Sequence, residues 1–228
     1  MSIIENYNRI RKDIDDSAVL SGRKSSDIRI IAVSKTFSET IVQEAIDAGI
    51  CLFGENKVQE AKRKIPKLRG EFAFHMVGHL QSNKARDAVM LFDLIHSIDT
   101  LSTAEKVNQE AALIGKKQKI LMQINASREE SKSGAHPRSV LELTRKILDL
   151  KNLELHGLMT MAPFTDDQAL IRNSFKMTKR LMDEINTSLE LGLCELSMGM
   201  SSDYRIAVEE GATMVRIGAA IFGHRIEE

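Results

Sequence analysis

Short, apolar, β-branched runs recur along this chain at 28–33, 51–53, 72–77, 94–98, 119–124, 153–159, 194–197 and 214–217, and a stretch with helical periodicity separates each from the next. This eightfold alternation constrains the fold more than any other feature. Several runs are apolar at consecutive positions, as in Ile30-Ile31-Ala32-Val33, and such runs suit strands covered on both faces, as parallel sheets require. Eight strand–helix units in roughly 200 residues predict an α/β fold, a single-domain (β/α)8 TIM barrel at the short end of its usual size. An open doubly wound sheet uses the same alternation and is the second reading. Ile171, Phe175, Thr178, Met182, Ile185 and Leu189 fall on one helix face, and Thr165-Asp166-Asp167-Gln168 predicts a capping-box start for that helix. Ile41, Val42, Ala45 and Ile46 mark a shorter helix that Gly49 ends. Residues 1–20 read as an extra N-terminal amphipathic helix packing across the outside or bottom of the barrel. No Pro/Gly/Ser-rich linker interrupts the chain, which has three prolines, so residues 1–228 read as one domain.

Composition narrows the function classes. Thirty-two basic and 32 acidic side chains leave a net charge of zero, which gives no overall field to hold nucleic acid or an anionic membrane. The local run Lys62-Arg63-Lys64, with Lys67 and Arg69, reads as a solvated helix face. No eighteen apolar residues run together, and MSIIENYNRIRKDIDD lacks the apolar stretch of a secretory signal. Cys51 and Cys194 cannot make a disulfide framework; near the starts of strand runs they read as small buried hydrophobes. A cytoplasmic protein with reduced thiols is expected. No metal spacing emerges. His75 and His79 are four apart, but a strand end and Gly78 intervene, so they read as hydrogen-bonding residues of the barrel rim; His96 and His156 read as core or near-core groups.

In such a barrel, chemistry belongs where strands end and helices begin. The first run closes with Ser34-Lys35-Thr36. Lys35 reads either as a snorkelling lysine with its head in water or as a desolvated amine suited to a Schiff base with a carbonyl compound. After the seventh run, Ser197-Met198-Gly199-Met200-Ser201-Ser202-Asp203 leads into a helix over 204–210. Ser201 and Ser202 read there as plain N-caps or as part of a phosphate cradle. The eighth run ends Val215-Arg216-Ile217-Gly218, where Gly218 is a plain turn or a point of close ligand approach. Arg216 at a strand end reads as a site residue or as half of a surface ion pair. Met159, Met198 and Met200 read as core packing before cofactor walls. An amine after strand one, a cradle after strands seven and eight and an arginine between them together suit a phosphorylated aldehyde, with pyridoxal 5′-phosphate as the foremost candidate.

The motifs Ile31-Ala32-Val33-Ser34-Lys35-Thr36, Phe53-Gly54-Glu55-Asn56, His75-Met76-Val77-Gly78-His79-Leu80-Gln81-Ser82-Asn83-Lys84, Glu195-Leu196-Ser197-Met198-Gly199-Met200-Ser201 and Val215-Arg216-Ile217-Gly218-Ala219-Ala220-Ile221-Phe222-Gly223 resemble the pyridoxal phosphate homeostasis protein family across essentially the whole chain. That family in turn resembles the barrel domain of alanine racemases. The resemblance implies that Lys35 carries pyridoxal 5′-phosphate as an internal aldimine, that Ser201, Ser202 and the backbone at Gly218 hold the phosphate, that Arg216 faces the pyridine nitrogen and that Asn56 lies beside the cofactor. It also implies a monomer with a role in vitamin B6 balance and no established catalysis, with apoenzymes that use the cofactor as candidate recipients. The sequence departs from the family in two places. Family members often follow the lysine with Thr-Lys-Pro, where this chain has Thr36-Phe37-Ser38, so a second lysine relaying the cofactor would have to be Lys132 or Lys84. Phe74 stands where tryptophan is frequent.

An arginine at the pyridine nitrogen cannot accept its proton and favours an unprotonated ring, a weak electron sink. Racemisation further needs an acid–base group on each face of the substrate carbon. Lys35 can serve one face; in racemases the other is a tyrosine from a second β domain, for which the chain leaves no room, and its own tyrosines are Tyr7 and Tyr204. A binding, buffering or delivery protein is therefore expected. The alternatives are a small pyridoxal phosphate enzyme, such as a weak amino-acid racemase or lyase, and a barrel that binds another phosphorylated metabolite without a covalent link.

Overall fold

The computed structural model describes residues 1–127 and 133–223. Its strands are β1 (Arg29–Val33), β2 (Leu52–Glu55), β3 (Ala73–Met76), β4 (Leu94–Ile98), β5 (Gln118–Ile124), β6 (Leu153–Thr160), β7 (Glu195–Ser197) and β8 (Met214–Ile217), and each of the eight runs yields one of them. All neighbouring pairs are parallel, and β8 pairs with β1, so the sheet closes into a barrel in chain order. The helices are α1 (Ile3–Leu20), α2 (Glu39–Asp47), α3 (Val58–Lys64), α4 (Ala85–Leu91), α5 (Leu101–Leu113), α6 (Val140–Leu148), α7 (Gln168–Leu189), α8 (Tyr204–Glu209) and α9 (Ala219–Phe222).

Period-two alternation along the strands divides the core into two. A small inner cluster of Ile31, Val33, Val77, Leu94, Leu121, Met159 and Met214 fills the barrel. A larger cluster, including Phe53, Phe74, Ile95, Ile120 and Leu196, lies between sheet and helices. Phe74 stacks on Phe53 with ring centroids 5.3 Å apart, so it supplies aromatic packing at the position where tryptophan is frequent. The N-terminal helix α1 packs outside the barrel against α8 and α9 and buries Ile10, Ile14 and Ala18. The α2 helix ends as its glycine requires: Gly49 takes φ +93°, its N–H donates to Ile46 O, and the Ile50 N–H reaches back to Ala45 O. None of the described helices is long and apolar enough to cross a membrane.

Three sequence expectations need correction. Cys51 and Cys194 are exposed: each stands one residue before its strand, and the apolar residue ahead of it, Ile50 or Leu193, takes the buried place. The α7 cap is Asp167, whose Oδ1 accepts from the Ala169 and Leu170 N–H groups; Thr165 instead accepts from the Asp167 N–H. Lys64 does not belong to a solvated face. It is buried against β2, while Lys62 and Lys67 of the same run are exposed and form ion pairs with Asp87 and Glu39.

Two bulges adjust the register. Ile120 of β5 pairs with Leu155 of β6 but Leu121 pairs with Gly157, so β6 carries one extra residue, His156, which ends half-buried near Glu154. On β4, Ile95 and Ile98 pair with Ile120 and Met122, so His96 and Ser97 together oppose Leu121. At the β6 bulge a Cβ on Gly157 would stand 1.9 Å from Glu195 O, whereas one on Gly192 would meet nothing within 4 Å. Gly157→Ala is therefore expected to destabilise the fold by about 1–3 kcal/mol or more, and Gly192→Ala to stay within about 0.5 kcal/mol of wild type. Urea unfolding of the two variants checks this contrast, and equal stabilities would refute the packing at Gly157.

Candidate functional site

The C-terminal ends of β7, β8, β1 and β2 are consecutive around the barrel, and the six predicted site residues all fall at these ends. Lys35 follows β1 and Asn56 follows β2, whose Gly54 pairs with Val33. Arg216 lies on β8 opposite Ile31, and Gly218 follows it. Ser201 and Ser202 lie in the turn after β7. Strand adjacency thus brings together residues that are up to 183 positions apart, the difference between Lys35 and Gly218.

Lys35 is exposed, so the desolvation expected for a Schiff-base amine is not supplied by the chain, and the side chain is reachable from solvent. It sits in a tight turn in which the Phe37 N–H donates to Ser34 O at 3.1 Å, and Thr36 takes φ +69°, unusual for a non-glycine residue. Phe37 packs on Phe222 of α9 with ring centroids 4.9 Å apart, so the residue that replaces the family's second lysine closes the turn against the last helix. Lys84 stands at the start of α4, and Lys132 lies outside the described residues.

Arg216 is buried, 5% exposed, which excludes the surface ion pair. One guanidinium nitrogen donates to Ser197 Oγ at 2.6 Å and another to Thr160 O at 2.9 Å. Ser197 Oγ also lies 2.9 Å from His96 Nδ1, and His96 Nε2 lies 3.0 Å from His75 Nδ1. The guanidinium can only donate, whereas Ser197 Oγ carries one proton and two lone pairs, so it accepts from Arg216 and either donates to or accepts from His96 Nδ1. Either choice fixes the tautomers of His96 and His75 together, because one ring nitrogen must donate and the other accept across the His96–His75 contact. Burial keeps both imidazoles neutral: it holds His75 down to about 3 and His96 well below its ordinary range. Burial also lowers Arg216 to about 10, against the opposing charge of Asp203, so the guanidinium remains cationic at neutral pH. His75 is therefore an interior residue and not a rim one, while His79 is exposed and 3.9 Å from Asp99.

On the phosphate side, neither serine caps α8. The N-cap is Asp203, and its Oδ1 accepts from the Met200 N–H at 2.6 Å. Ser201 and Ser202 precede it with exposed hydroxyls. Burial raises the Asp203 carboxyl, while the Met200 N–H and the Arg216 charge hold it down. Gly199 takes φ +94°, and a Cβ there would come 2.6 Å from that of Ala207, so only glycine fits this turn onto α8. A cavity of about 600 Å³ adjoins the loop, lined by Met161, Phe164, Met200, Ser202 and Asp203. Met159 and Met198 are fully buried packing residues, whereas Met200 reaches the cavity wall.

Sequence reasoning missed two supports. Gly78 lies so close to the Asn56 backbone that a Cβ would stand 2.3 Å from Asn56 O, and only its place in the motif after β3 could have signalled this. Beneath the Lys35 turn, on the outer side of the sheet, Glu55 and Lys64 form a buried ion pair. Ser34 Oγ donates to Glu55 Oε1 at 2.7 Å, Lys64 Nζ donates to Ser34 O at 2.8 Å, and Glu60 Oε1 accepts from the Thr36 N–H and from Lys64 Nζ. The charged run that contains Lys64 concealed it.

An amine reachable from solvent, hydroxyls and backbone at two helix starts, and a fixed buried cation can together receive a flat anionic carbonyl compound. The family model described as "Alanine racemase, N-terminal domain" matches residues 5–226. The pyridoxal phosphate homeostasis protein of Aquifex aeolicus is 34% identical, with 99% of each chain covered, and that of Pseudomonas aeruginosa is 37% identical, covering 98% of this chain and 96% of that one. Among solved structures, PipY of Synechococcus elongatus with PLP bound is 34% identical with a TM-score of 0.86, covering 97% of this chain and all of that one. An alanine racemase of Clostridium difficile shares the fold at 17% identity, with a TM-score of 0.76, all of this chain matching 58% of that one.

The buried neutral imidazoles make stability depend on pH. Between the ordinary histidine value of 6.5 and about 3, the unfolded chain binds protons that the folded His75 refuses, so stability is complete above 6.5 and falls as pH falls. The expected slope is about 1.4 kcal/mol per pH unit for each such histidine. Urea unfolding from neutral pH to about 5 should show a shallower decline for His75→Gln than for wild type. Identical slopes would refute the neutral buried state.

Proposed function

The chain belongs to the pyridoxal phosphate homeostasis protein family, and from this premise we propose that it binds pyridoxal 5′-phosphate at the barrel mouth as a covalent imine of Lys35 and serves to hold and release the cofactor. The observation that carries this reading is the buried, fixed Arg216 cation among four adjacent strand ends that also bear Lys35, Asn56, Ser201, Ser202 and Gly218. The residues present fit the group. A Cβ at Gly218 would make only ordinary contact with Val33 O, at 3.4 Å, so packing does not demand glycine there, and the missing side chain leaves the backbone open to close approach. The serine hydroxyls and the N–H groups around Gly218 provide donors for a phosphate.

When bound, the group supplies an aldehyde that condenses with a primary amine and loses water. The chain does the rest. Lys35 presents an amine open to solvent, which suits loading and unloading. Arg216, locked by Ser197 and Thr160, can donate toward a ring nitrogen but cannot protonate it at neutral pH, so the ring is kept a poor electron sink. Tyr204 donates its hydroxyl to Asp13 of α1 at 2.7 Å on the outer face, and Tyr7 belongs to α1 itself, so neither serves as an opposite-face base. This supports a holding role over turnover. As part of the same reading, the protein acts as a cytoplasmic monomer, with apoenzymes that use the cofactor as recipients.

Borohydride reduction followed by peptide mass spectrometry is expected to find the cofactor on Lys35 in wild type and none in Lys35→Ala. Exchange of α-hydrogens for deuterium across a panel of amino acids is expected to stay at background. Unmodified wild type after soaking in excess cofactor would overturn the binding reading; rapid exchange lost in Lys35→Ala would replace holding with catalysis. The double substitution Ser201→Ala/Ser202→Ala should weaken cofactor binding about tenfold in a spectrophotometric titration while leaving the imine absorption of the saturated protein unchanged.

A further inference from the structure

We propose that the buried cluster of Glu55, Lys64 and Glu60 is a positioning device that fixes the turn bearing Lys35 and thereby sets the attitude of its amine toward the cofactor aldehyde. The inference rests on the reading of Lys35 as the cofactor-bearing residue. Three features of the cluster point to it.

First, its hydrogen bonds converge on the two residues that flank Lys35. Ser34 is held at both its Oγ, by Glu55, and its carbonyl, by Lys64 at 2.8 Å; Thr36 is held at its N–H by Glu60. Lys64 joins the two carboxylates, as Nζ reaches Glu55 Oε1 at 2.5 Å and Glu60 Oε1 at 3.4 Å. Lys35 itself is left outside the cluster, exposed at the apex of the turn.

Second, the arrangement is poorly built for stability alone. Glu55 is fully buried, and its second oxygen, Oε2, has no hydrogen-bond partner among the described residues. Burying two charges with one oxygen unsatisfied is less favourable than packing two apolar side chains in the same volume. Such a pair is explained by the geometry it enforces.

Third, the turn needs restraint. Thr36 occupies the left-handed region at φ +69°, a conformation that β-branched residues avoid and that persists only where surroundings impose it. The Glu60 carboxylate on the Thr36 N–H and the Ser34 anchors on the other side supply that restraint. Without them the turn relaxes, and the amine is presented over a wider range of directions. Imine formation depends on the direction of approach between amine and aldehyde, whereas phosphate and ring contacts on β7 and β8 do not.

The test compares two ligands on the full-length protein. Pyridoxal 5′-phosphate can form the imine; pyridoxine 5′-phosphate carries an alcohol in place of the aldehyde and binds only through ring and phosphate. Titrations followed by visible absorption for the first and by calorimetry for the second are run on wild type, Lys64→Met, Glu60→Ala and Glu60→Gln. Glu60→Ala and Lys64→Met are expected to weaken the aldehyde ligand about tenfold and to leave the alcohol ligand within about twofold of wild type. Glu60→Gln keeps an acceptor for the Thr36 N–H and should restore most of the aldehyde affinity. Should Lys64→Met fail to fold, the partly exposed Glu60 position decides alone. Equal loss for both ligands, or no loss for either, overturns the positioning role. An imine that forms in Lys35→Ala as it does in wild type would instead overturn the cofactor-bearing assignment on which the role rests.

Discussion

A guanidinium enclosed in an eight-stranded barrel must find its acceptors inside the barrel, and Arg216 finds them at Ser197 Oγ and Thr160 O. Much of the interior follows from that demand. Ser197 Oγ lies in turn within hydrogen-bond distance of His96 Nδ1, and His96 Nε2 of His75 Nδ1. Whichever way the shared protons run, each link pairs one donor with one acceptor while both imidazoles stay neutral. The barrel therefore holds one fixed charge and a chain of neutral groups, packed beside a small apolar cluster. A cation held this way is preorganised.

The ends of β1 and β2 carry a second polar system on the outer face of the sheet. Gly54 directs its Cα hydrogen into the barrel, where a Cβ would stand 2.8 Å from Ile31 Cγ2, while its neighbour Glu55 pairs outward with Lys64. The inner chain presents a rigid cation and the outer cluster restrains the turn that carries the amine. Neither system contains Lys35. Its exposure is consistent with an amine that must be reachable, with the precision supplied by groups around it.

The barrel was legible because parallel strands covered on both faces appear in sequence as consecutive apolar residues, and eight such runs leave few closed alternatives. The candidate site was legible where a residue type is chemically unusual for its place: a lysine directly after Ile-Ile-Ala-Val-Ser, serines before a helix, an arginine between apolar strand residues. What stayed hidden depends on direction. Lys64 lies in a basic run whose other lysines are exposed, and only the angular position of α3 against β2 turns it inward. For Arg216 the surface ion pair is the lesser reading of the sequence, and its pairing with Ile31, an inward residue, settles it by placing the side chain inside. Each cysteine directly follows a buried apolar residue, Ile50 or Leu193, so its exposure turns on a single position.

Direction in turn depends on register, which the bulges set. Along a strand, a slip of one residue exchanges the two faces. On β2 such a slip would put Glu55 into an apolar barrel and leave Lys64 without its partner. On β4 an extra residue opposite Leu121 lets His96 face Ser197 while Ile95 and Ile98 both keep their places in the outer core. On β6 the extra residue, His156, brings Gly157 against Glu195 O, and from there Met159 pairs with Ser197 and Thr160 O reaches Arg216. The irregularities lie on β4 and β6, in the part of the ladder that carries the inner chain, while the β1–β2 and β2–β3 pairings that place the outer cluster run without a shift.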